Sequence, residues 1–486
     1  MFVDREEELD FLNSLLKRER PTPAQMILLY GRRRVGKTVL ARHWADYTGQ
    51  ASINWFAETE TAALQRQKLY SKMLGVPADQ APTFRSWDDL WAAFARQIGD
   101  RPHILILDEV TRAAEADTAF LSSLQGAWDE TFKHSRLILI LSGSQVHAME
   151  TLLHEGSPLF GRFTGQWHLQ PLAFSALRQF FPTWPADERV AIYGILGGIP
   201  AYLETLDPAL NVSDNVKQVI LHKGSMFLGE PEVLLADQLR EPRVYLSILK
   251  AIGLGKHTLE AIGEAAQMPQ VHLTPYISRL MELRLIERRL SALTHPSKQS
   301  TSRSSRYHFS DPFFLFYYRF VSPDREEIGY RPEQIVPDLV DQLRAFLGAT
   351  AFEVLCREWV IQASQKRTLP FQAQQVGSHW SRGVNIDVVA LNWKAKAVLL
   401  GECKWDKGAV ERDVVRELTE KRVPKALKYL PDEGQGWTVY PAFFARDGLT
   451  PAAQAYAREL KPQPMLVISL KQIDHDLGGM PGNGHI

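Results

Sequence analysis

A glycine-bounded loop near the start of the sequence has the residue types and the spacing that hold a chain of phosphates. It follows an apolar run, precedes a stretch of helical period and consists of Gly31, Arg32, Arg33, Arg34, Val35, Gly36, Lys37, Thr38 and Val39. The glycines let backbone N–H groups close around phosphate oxygens at the start of a helix. Lys37 is expected to reach the β- and γ-phosphates, and the Thr38 hydroxyl to ligate Mg²⁺. The spacing therefore predicts a site for ATP and Mg²⁺.

Two apolar runs downstream end in polar residues that would complete this site. The run HILILDEV is typical of a buried parallel strand and ends in Asp108 and Glu109. Asp108 is expected to hold Mg²⁺, and Glu109 to orient or deprotonate the attacking water. An acidic helix cap is the alternative. The run RLILILSGS ends in Ser142 and Ser144, which either sense the γ-phosphate or are plain turn serines.

The segment SPLFGRFTG places Arg162 in a glycine-bounded turn. An arginine that reaches the γ-phosphate, from the same chain or from a neighbouring subunit, stabilises transition-state charge and can raise the rate by about 10³–10⁵. Arg162 is therefore a candidate catalytic residue, with a surface arginine as the alternative interpretation.

A second group of carboxylates lies far along the chain. Two strand-like runs, NIDVVALN and AVLLGECKW, carry Asp387 on the first and Glu402 and Lys404 on the second, and an earlier helix-period stretch carries Glu353. Carboxylates brought together repel each other unless a divalent cation lies between them, so these three are candidate Mg²⁺ or Mn²⁺ ligands. Bound metal lowers the pKa of water, which Lys404 would steer or help deprotonate.

This order, helix-Glu, strand-Asp, strand-Glu-x-Lys, is the arrangement of the PD-(D/E)xK nuclease fold. A surface ion-pair ladder is the alternative, but the strands are apolar enough to be buried, where unpaired carboxylates are costly. Whether such a domain cleaves DNA, or only binds DNA or protein, stays open at this point.

The middle of the chain has the helix spacing of a helix-turn-helix, with helices predicted over 239–255, 258–267 and 272–290. A β-wing with a polar tip is expected to follow. The apolar positions of the third helix are predicted to pack inward, which leaves its polar positions for DNA bases. The predicted DNA contacts are Gln270, His272, Thr274, Ser278 and Arg279 on this helix, and Lys298, Arg303 and Arg306 in the tip. A protein-interaction platform is the alternative.

The composition limits the class of protein. A chain of 486 residues predicts two to four domains. Lys plus Arg and Asp plus Glu each number 56, so binding to nucleic acid must depend on local patches. The two cysteines, Cys356 and Cys403, suit a reducing compartment. The charged N-terminus is not a signal peptide, and the apolar runs are only strand-length. We therefore expect a soluble cytoplasmic protein that does not contact a membrane.

Several motifs in order, MFVDREEELDFL, GRRRVGKT, LILDE, SPLFGRFTG and GGIPAYL, resemble the prokaryotic AAA-type ATPases of the archaeal ATPase family, in the STAND class of signalling NTPases. The resemblance covers roughly residues 1–240 and implies that Asp4, Arg5 and Glu6 lie near the adenine. It continues through a winged-helix segment ending in FSDPFFLFYYRFV. It also includes a nuclease-like domain matching WSRGVNIDVVA and GECKW.

We predict a multi-domain α/β protein with a P-loop AAA-type α/β core, a helical lid, a winged-helix middle domain and a PD-(D/E)xK-like α/β C-terminal domain. The predicted boundaries are 1–170 for the core, 171–237 for the lid, 238–320 for the winged helix-turn-helix, 321–342 for a linker, 343–475 for the nuclease-like domain and 476–486 for a disordered tail.

The predicted function is that of an ATP-binding, slowly hydrolysing switch coupled to a DNA-binding, metal-dependent nuclease domain. The alternative is a non-cleaving regulator in which ATP gates the binding of DNA or a partner. A toxin-like effector is a third candidate. ATP and DNA are the expected partners, and a protein partner and oligomerisation are left open.

Overall fold

The computed structural model describes residues 2–17, 23–99, 101–236, 239, 242–299, 305–330, 342–343 and 346–478. By its contacts the chain forms two compact units. The first unit comprises Met1–Leu172 with Ile199–Glu204, and the second comprises Ala173–Gly198 with Thr205–Ile486.

The first unit is built on a five-stranded sheet with the order β2-β3-β4-β1-β5, in which every pairing is parallel. Its strands are β1 Gln25–Tyr30, β2 Ala51–Phe56, β3 His103–Asp108, β4 Leu137–Gly143 and β5 Gly165–His168. The helices of this unit are Glu6–Leu16, Lys37–Thr48, Ala62–Leu74, Trp87–Ile98, Val110–Ala116, Phe120–Glu130, Val146–Thr151 and Pro200–Leu203.

Strands β1, β3 and β4 are mainly apolar on both faces, and nearly all of their residues are buried, because both faces of the sheet are covered. Alternate residues of β1, such as Met26 and Ile27, belong to separate apolar clusters on the two faces. The carboxyl ends of β1, β3 and β4 therefore meet at one edge of the sheet, which is where the phosphate-binding loop and the two downstream polar pairs lie.

The second unit begins with helices only. Their bounds are Leu177–Phe180, Ala186–Leu196, Val212–Asn215, Glu230–Ala236, Pro242–Gly253, Leu259–Ala265 and Gln270–Glu282. A two-stranded antiparallel hairpin follows, made of β6 Ile286–Arg289 and β7 Arg306–Phe309, and after it come the helices Pro312–Phe316 and Arg325–Tyr330.

The predicted third helix over 272–290 is wrong at its C-terminal end. The helix ends at Glu282, Arg284 adopts a left-handed conformation with φ of 54°, and Ile286 already pairs with Phe309 of β7. Strand pairing with a distant segment overrides the helical period here, because a period read along the sequence carries no information about such a partner.

A second five-stranded sheet, with the order β12-β11-β10-β9-β8, forms the C-terminal part of this unit. Its strands are β8 Gln375–Ser381, β9 Val384–Asn392, β10 Ala397–Lys404, β11 Thr438–Ala445 and β12 Leu466–Ser469. Strands β8, β9 and β10 are antiparallel, whereas β11 lies parallel to both of its neighbours. The helices of this part are Glu353–Gln365, Arg412–Glu417, Val423–Leu427, Pro451–Glu459 and Leu470–Gly478.

The last helix extends to Gly478, so residues 476–478 are helical where the sequence analysis predicts the start of a disordered tail. Asp476 accepts a hydrogen bond of 2.8 Å from the Trp359 indole, which attaches this end to the helix Glu353–Gln365. Residues 479–486 lie outside the described residues. Among the residues that are described, none belongs to a helix long and apolar enough to span a bilayer.

Candidate functional site

The phosphate-binding loop has the backbone that its glycines allow. Gly36 has a φ of 99° and stands immediately before the helix Lys37–Thr48. Gly31 approaches the Leu169 carbonyl oxygen so closely that a Cβ atom would collide with it. Any larger residue at either position would therefore distort the loop.

Lys37 is buried within this loop. Its Nζ donates to the carbonyl oxygens of Gly31 at 2.9 Å and Arg32 at 3.1 Å. Burial lowers the pKa of Lys37, and the charges of Glu109 and Asp108 oppose that shift. An anionic phosphate in the loop would stabilise the charged amine further.

Asp108 connects the loop to the neighbouring strands. Its Oδ2 accepts a short hydrogen bond from Thr38 Oγ1, and its Oδ1 accepts from Ser142 Oγ and, at 3.0 Å, from the Glu109 amide. Thr38 and Asp108, the two predicted Mg²⁺ ligands, are thus in direct contact. Ser142, at the end of β4, holds the carboxylate rather than facing an open site.

Glu109 is held by the other predicted serine. Its Oε2 accepts hydrogen bonds from the Ser144 amide at 3.1 Å and the Ser144 hydroxyl at 2.9 Å. Glu109 has a φ of 54° at the N-terminus of the helix Val110–Ala116. A strained backbone and a two-point hydrogen bond fix the direction of this carboxylate, as positioning a nucleophilic water requires.

Two residues that the motif does not include also contact the loop. Arg5 donates to the Val35 carbonyl oxygen at 3.0 Å and pairs with Glu8 at 2.8 Å. The Tyr202 hydroxyl accepts from Arg32 at 3.3 Å. The guanidinium groups of Arg32 and Arg34 each lie 5.8 Å from the centre of the Tyr202 ring. The GGIPAYL segment is the only sequence signal for Tyr202, and it does not predict the contact.

Arg162, the candidate catalytic arginine, is bound within its own unit. Its Nη2 forms an ion pair of 2.6 Å with Asp129, and its Nη1 donates to the carbonyl oxygens of Pro158 and Phe160 at 3.0 Å each. These contacts favour the alternative of a structural arginine, and a catalytic role for Arg162 stays a prediction.

In the C-terminal sheet, two candidate metal ligands lie at the end of a paired stretch of adjacent strands. The antiparallel register of β9 and β10 runs as far as Val388 and Gly401, and Asp387 and Glu402 are the next residues of their strands. Asp387 Oδ2 accepts from the Cys403 amide at 2.9 Å. A register shift between β8 and β9 gives Asp387 a bulged position, which can redirect a side chain toward a site.

Basic residues surround these carboxylates. Glu402, 4% exposed, forms ion pairs with Arg422 at 2.6 Å and Lys404 at 3.1 Å. Arg357 binds Glu353 at 3.3 Å and donates to the Asp387 carbonyl oxygen at 2.8 Å. The sequence predicts Lys404 at this position, but nothing in it indicates that Arg422, on a later helix, contacts Glu402.

The three acidic groups disfavour one another's charge. Burial, followed by the charge of Asp387, raises the pKa of Glu353 to about 7, and the same two causes raise the pKa of Glu402. Burial also raises the pKa of Asp387. Across the residues that the structure describes, no three His, Cys, Asp or Glu side chains have the spacing of a formed metal site.

Comparison with known proteins identifies the family. A family model described as "ATPase domain predominantly from Archaea" matches residues 2–206, and one described as "Archaea bacterial proteins of unknown function" (DUF234) matches residues 317–421. The uncharacterized protein MJECL04 of Methanocaldococcus jannaschii is 34% identical over 419 residues, 85% of this chain and 89% of that protein. The chain belongs to the archaeal ATPase family.

Two solved structures are similar to part of this archaeal ATPase. The Walker-type ATPase PABY2304 of Pyrococcus abyssi is 21% identical, with a TM-score of 0.47, and the match covers 65% of this chain and 96% of that one. The Aeropyrum pernix ORC2 protein, in its ADPNP–ADP complexes, is 14% identical with a TM-score of 0.47, and the match covers 68% of this chain and 95% of that one.

The family match and the loop motif together make the first unit of the chain a P-loop ATPase. The predicted ATPase core is therefore confirmed. In this unit Thr38 contacts Asp108 and Ser144 contacts Glu109.

The predicted DNA-contacting residues of the archaeal ATPase fall into two groups. On the helix Gln270–Glu282, Leu273, Ile277 and Leu280 are buried as predicted. The five polar candidates of this helix are exposed or half-buried, namely Gln270, His272, Thr274, Ser278 and Arg279.

The polar tip differs from the prediction. Lys298 is exposed, and Arg303 lies outside the described residues. Arg306 does not lie in a tip: it begins strand β7, with its guanidinium 5.0 Å from the centre of the Trp380 ring. The preceding segment packs against the C-terminal sheet, since the Ala292 amide donates to the Ser378 carbonyl oxygen at 2.9 Å. Ala292 and Leu293 of this segment belong to the apolar core of the C-terminal sheet, so this part of the chain is packed and not a free loop.

Proposed function

We propose that this archaeal ATPase is a STAND-like switch that binds ATP with Mg²⁺, hydrolyses it slowly and controls a DNA-binding, nuclease-like C-terminal domain. The observation that supports the coupling to a nuclease is that Asp387 and Glu402 directly follow the paired residues Val388 and Gly401 on adjacent strands, with Lys404 in an ion pair with Glu402. Two acidic residues and a lysine at adjacent strand positions are the residue types that metal-dependent phosphodiester cleavage requires.

For the ATPase, Thr38 and Asp108 would hold Mg²⁺ through oxygen atoms that now hydrogen-bond to each other. Bound Mg²⁺ would neutralise charge on the β- and γ-phosphates. Glu109, fixed by Ser144, is the group that would orient the attacking water. Arg162 is paired with Asp129 and is therefore not placed to stabilise charge on the γ-phosphate. Because this arginine does not assist the reaction, we expect turnover of ATP to be slow.

For DNA binding, the helices from Pro242 to Glu282 followed by the hairpin β6–β7 have the element order of a winged helix. The polar side of the helix Gln270–Glu282 is the surface that would enter a major groove. Val271, 83% exposed on that side, would contact the methyl group of a thymine.

For the nuclease, the order of elements is a helix, three antiparallel strands, further helices and then a strand parallel to β10. Asp387 and Glu402, with the Cys403 carbonyl oxygen, would hold a divalent cation, and Glu353 would have to move closer to join its ligands. Burial and the charge of Asp387 raise the pKa of Glu353 to about 7, and a bound cation would favour its charged form. Bound metal would activate water for attack on a phosphodiester.

The segment that follows the ATPase core offers a route for coupling. Within the second unit, Arg189 forms an ion pair of 2.8 Å with Asp474, and Arg446 pairs with Asp187, so the helix Ala186–Leu196 is bound to the C-terminal domain. The chain then passes through Gly197, with φ of 65°, to the segment that carries Tyr202 of the first unit.

A non-cleaving regulator is the second candidate, and one observation favours it. Glu402 is already neutralised by Arg422 and Lys404, which leaves the carboxylates balanced by protein cations. In such a protein ATP would gate the binding of DNA or a partner without cleavage.

A metal-titrated cleavage assay decides between the two candidates. Single-stranded, duplex and branched DNA are incubated with Mg²⁺ or Mn²⁺, with and without ATP. We expect metal-dependent nicking that is lost in Asp387→Asn and in Lys404→Ala, while both variants retain wild-type ATPase activity. If the protein binds DNA in a salt-sensitive way but does not nick it with any metal, the protein is a non-cleaving regulator and not a nuclease.

A further inference from the structure

A cavity of about 920 Å³ lies in the second unit beside the carboxylates. The hairpin β6–β7, strands β8 and β9, and the helix Glu353–Gln365 contribute to its wall, and Glu353 and Asp387 are among its lining residues. Glu402 and Lys404 do not line it. The cavity thus leads to one side of the candidate metal site.

The cavity wall is rich in arginine. Arg289 pairs with Glu287 at 2.5 Å, and Arg357 pairs with Glu353 at 3.3 Å. Arg306 forms no ion pair with any residue that the structure describes, and burial lowers the pKa of its guanidinium. A half-buried cation without a carboxylate partner is poorly solvated, so an anion from outside the chain would bind it favourably.

A second polar group in the wall also lacks a partner. His379 is 3% exposed, and its Nε2 makes no hydrogen bond with any described residue. Its Nδ1 lies 2.6 Å from Ser291 Oγ, which already accepts from the Leu293 amide. The serine hydroxyl can therefore donate to Nδ1, which leaves a proton on Nε2 as an unused donor. A buried donor of this kind costs free energy unless a ligand supplies an acceptor.

Aromatic rings line the same cavity as these polar groups. The His257 and His308 rings stack with centroids 4.1 Å apart, and burial together with neighbouring positive charge lowers the pKa of both. Trp380 is half-buried beneath the Arg306 guanidinium. Aromatic faces interleaved with arginine are the surfaces that bind single-stranded nucleic acid, because every base can stack on them.

Size excludes a duplex from this cavity. A volume of about 920 Å³ equals that of a cube about 10 Å on a side, whereas the major groove of B-DNA alone is about 12 Å wide. A single strand is narrower than a duplex, and Arg306 and Trp380 both line the cavity that it would enter.

We propose that this cavity binds a single strand of nucleic acid, with Arg306 and the His379 Nε2–H on its phosphate or base oxygens, and leads that strand toward Glu353 and Asp387. The direction of the strand, toward Glu353 and Asp387, rests on the proposed function, in which these residues belong to a nuclease site. It assigns a substrate class, single strands or frayed ends rather than intact duplex, to the candidate nuclease site.

The test measures fluorescence anisotropy of a short labelled oligothymidylate and of a blunt hairpin duplex with wild type, Arg306→Gln, Arg306→Lys and Trp380→Ala. Arg458→Gln, an exposed arginine outside the cavity, is the matched control. We expect Arg306→Gln and Trp380→Ala each to weaken binding of the single strand about tenfold, with little change for the duplex. Arg306→Gln should also reduce the slope of log affinity against log salt by about 0.7, and Arg306→Lys should restore it.

Each outcome bears on one of the two proposals. Wild-type affinity and salt slope in both cavity variants, alongside DNA binding and cleavage by the wild type, would overturn the cavity assignment alone. If thymidine monophosphate displaces the labelled oligonucleotide as strongly as unlabelled oligonucleotide does, the cavity binds a free nucleotide. That result would overturn the proposal that it binds a strand. Absence of binding to any DNA would remove the proposed function as well.

Discussion

The Arg422 guanidinium lies 2.6 Å from the Glu402 carboxylate, on the same acidic group that Lys404 approaches to 3.1 Å. Two cations therefore balance one buried carboxylate where the candidate metal site is. A divalent ion that binds Asp387 and Glu402 must displace Arg422 or share Glu402 with it.

Replacing Arg422 by alanine should make the site more accessible to metal and make the fold less stable. Glu402 would lose a charged hydrogen bond, which costs about 1–3 kcal/mol because Lys404 remains. Mn²⁺ should then raise the melting temperature of Arg422→Ala more than that of the wild type. Arg416→Ala, which removes an exposed arginine paired with Glu420, is the control and should not change the response to Mn²⁺. An equal Mn²⁺ response in all three proteins would contradict competition between Arg422 and metal.

Lys37→Ala should abolish ATP binding or turnover, because the amine that reaches the phosphates is removed. Binding of a fluorescent ATP analogue and release of phosphate measure the two steps. Lys72→Ala removes an exposed lysine of the same unit and should behave as the wild type. Normal ATPase activity in Lys37→Ala would refute the assignment of the loop.

Glu109→Gln should retain nucleotide binding and lower kcat by about 10²–10⁴, the usual contribution of a general base. Ser144→Ala should lower kcat less, because it leaves Glu109 in place but without its hydroxyl contact. Steady-state ATPase assays give kcat and KM separately. A Ser144→Ala effect on KM alone would indicate that Ser144 senses nucleotide rather than positioning Glu109.

Arg162→Ala and Asp129→Ala should both lower the melting temperature, because each removes one partner of the same ion pair. Arg162→Ala should lower it more, because Arg162 also donates to the carbonyl oxygens of Pro158 and Phe160. The ATPase rate per folded molecule should be equal in the two variants. A large fall in kcat for Arg162→Ala alone would instead establish Arg162 as the catalytic arginine that its glycine-bounded turn suggests.

His379 should make the second unit sensitive to acid. Burial lowers its pKa to about 4 from the ordinary value of 6.5, so the folded state binds fewer protons than the unfolded state between these values. The stability that neutral His379 provides is complete above pH 6.5 and is lost as the pH falls toward 4. Between pH 7.5 and pH 5 the loss is about 2 kcal/mol. The melting temperature should therefore fall less over this range in His379→Gln than in the wild type, and an equal fall would refute the shift.

Much of the ATPase site can be predicted from the sequence because its residues lie in short motifs at strand ends. Lys37, Thr38 and Asp108 each follow or end an apolar run, and parallel strands bring such ends together. The same reasoning predicts that Asp387 and Glu402 lie close together, because the turn of four residues between their strands fixes the register of the strands.

The contacts that sequence reasoning missed depend on distant packing. Tyr202 contacts Arg32 across 170 positions of the chain, and Arg422 reaches Glu402 from a helix on one face of the sheet. The sequence predicts Arg306 in the polar tip as a DNA contact, yet in the structure it lines a cavity beside Trp380. The spacing of apolar residues along a sequence indicates helices and strands, but it does not indicate which helix packs against the end of which strand.

The return of residues Ile199–Glu204 to the first unit bears on how this protein can be dissected. A fragment that stops at Leu172 retains every nucleotide-binding motif but lacks the tyrosine ring that contacts Arg32 and Arg34. Autonomous ATPase activity should therefore be sought in fragments extended past Glu204. If a fragment that ends at Leu172 has no ATPase activity, the loss can result from the missing Tyr202 beside the phosphate-binding loop. It would not show that ATPase activity depends on the C-terminal half.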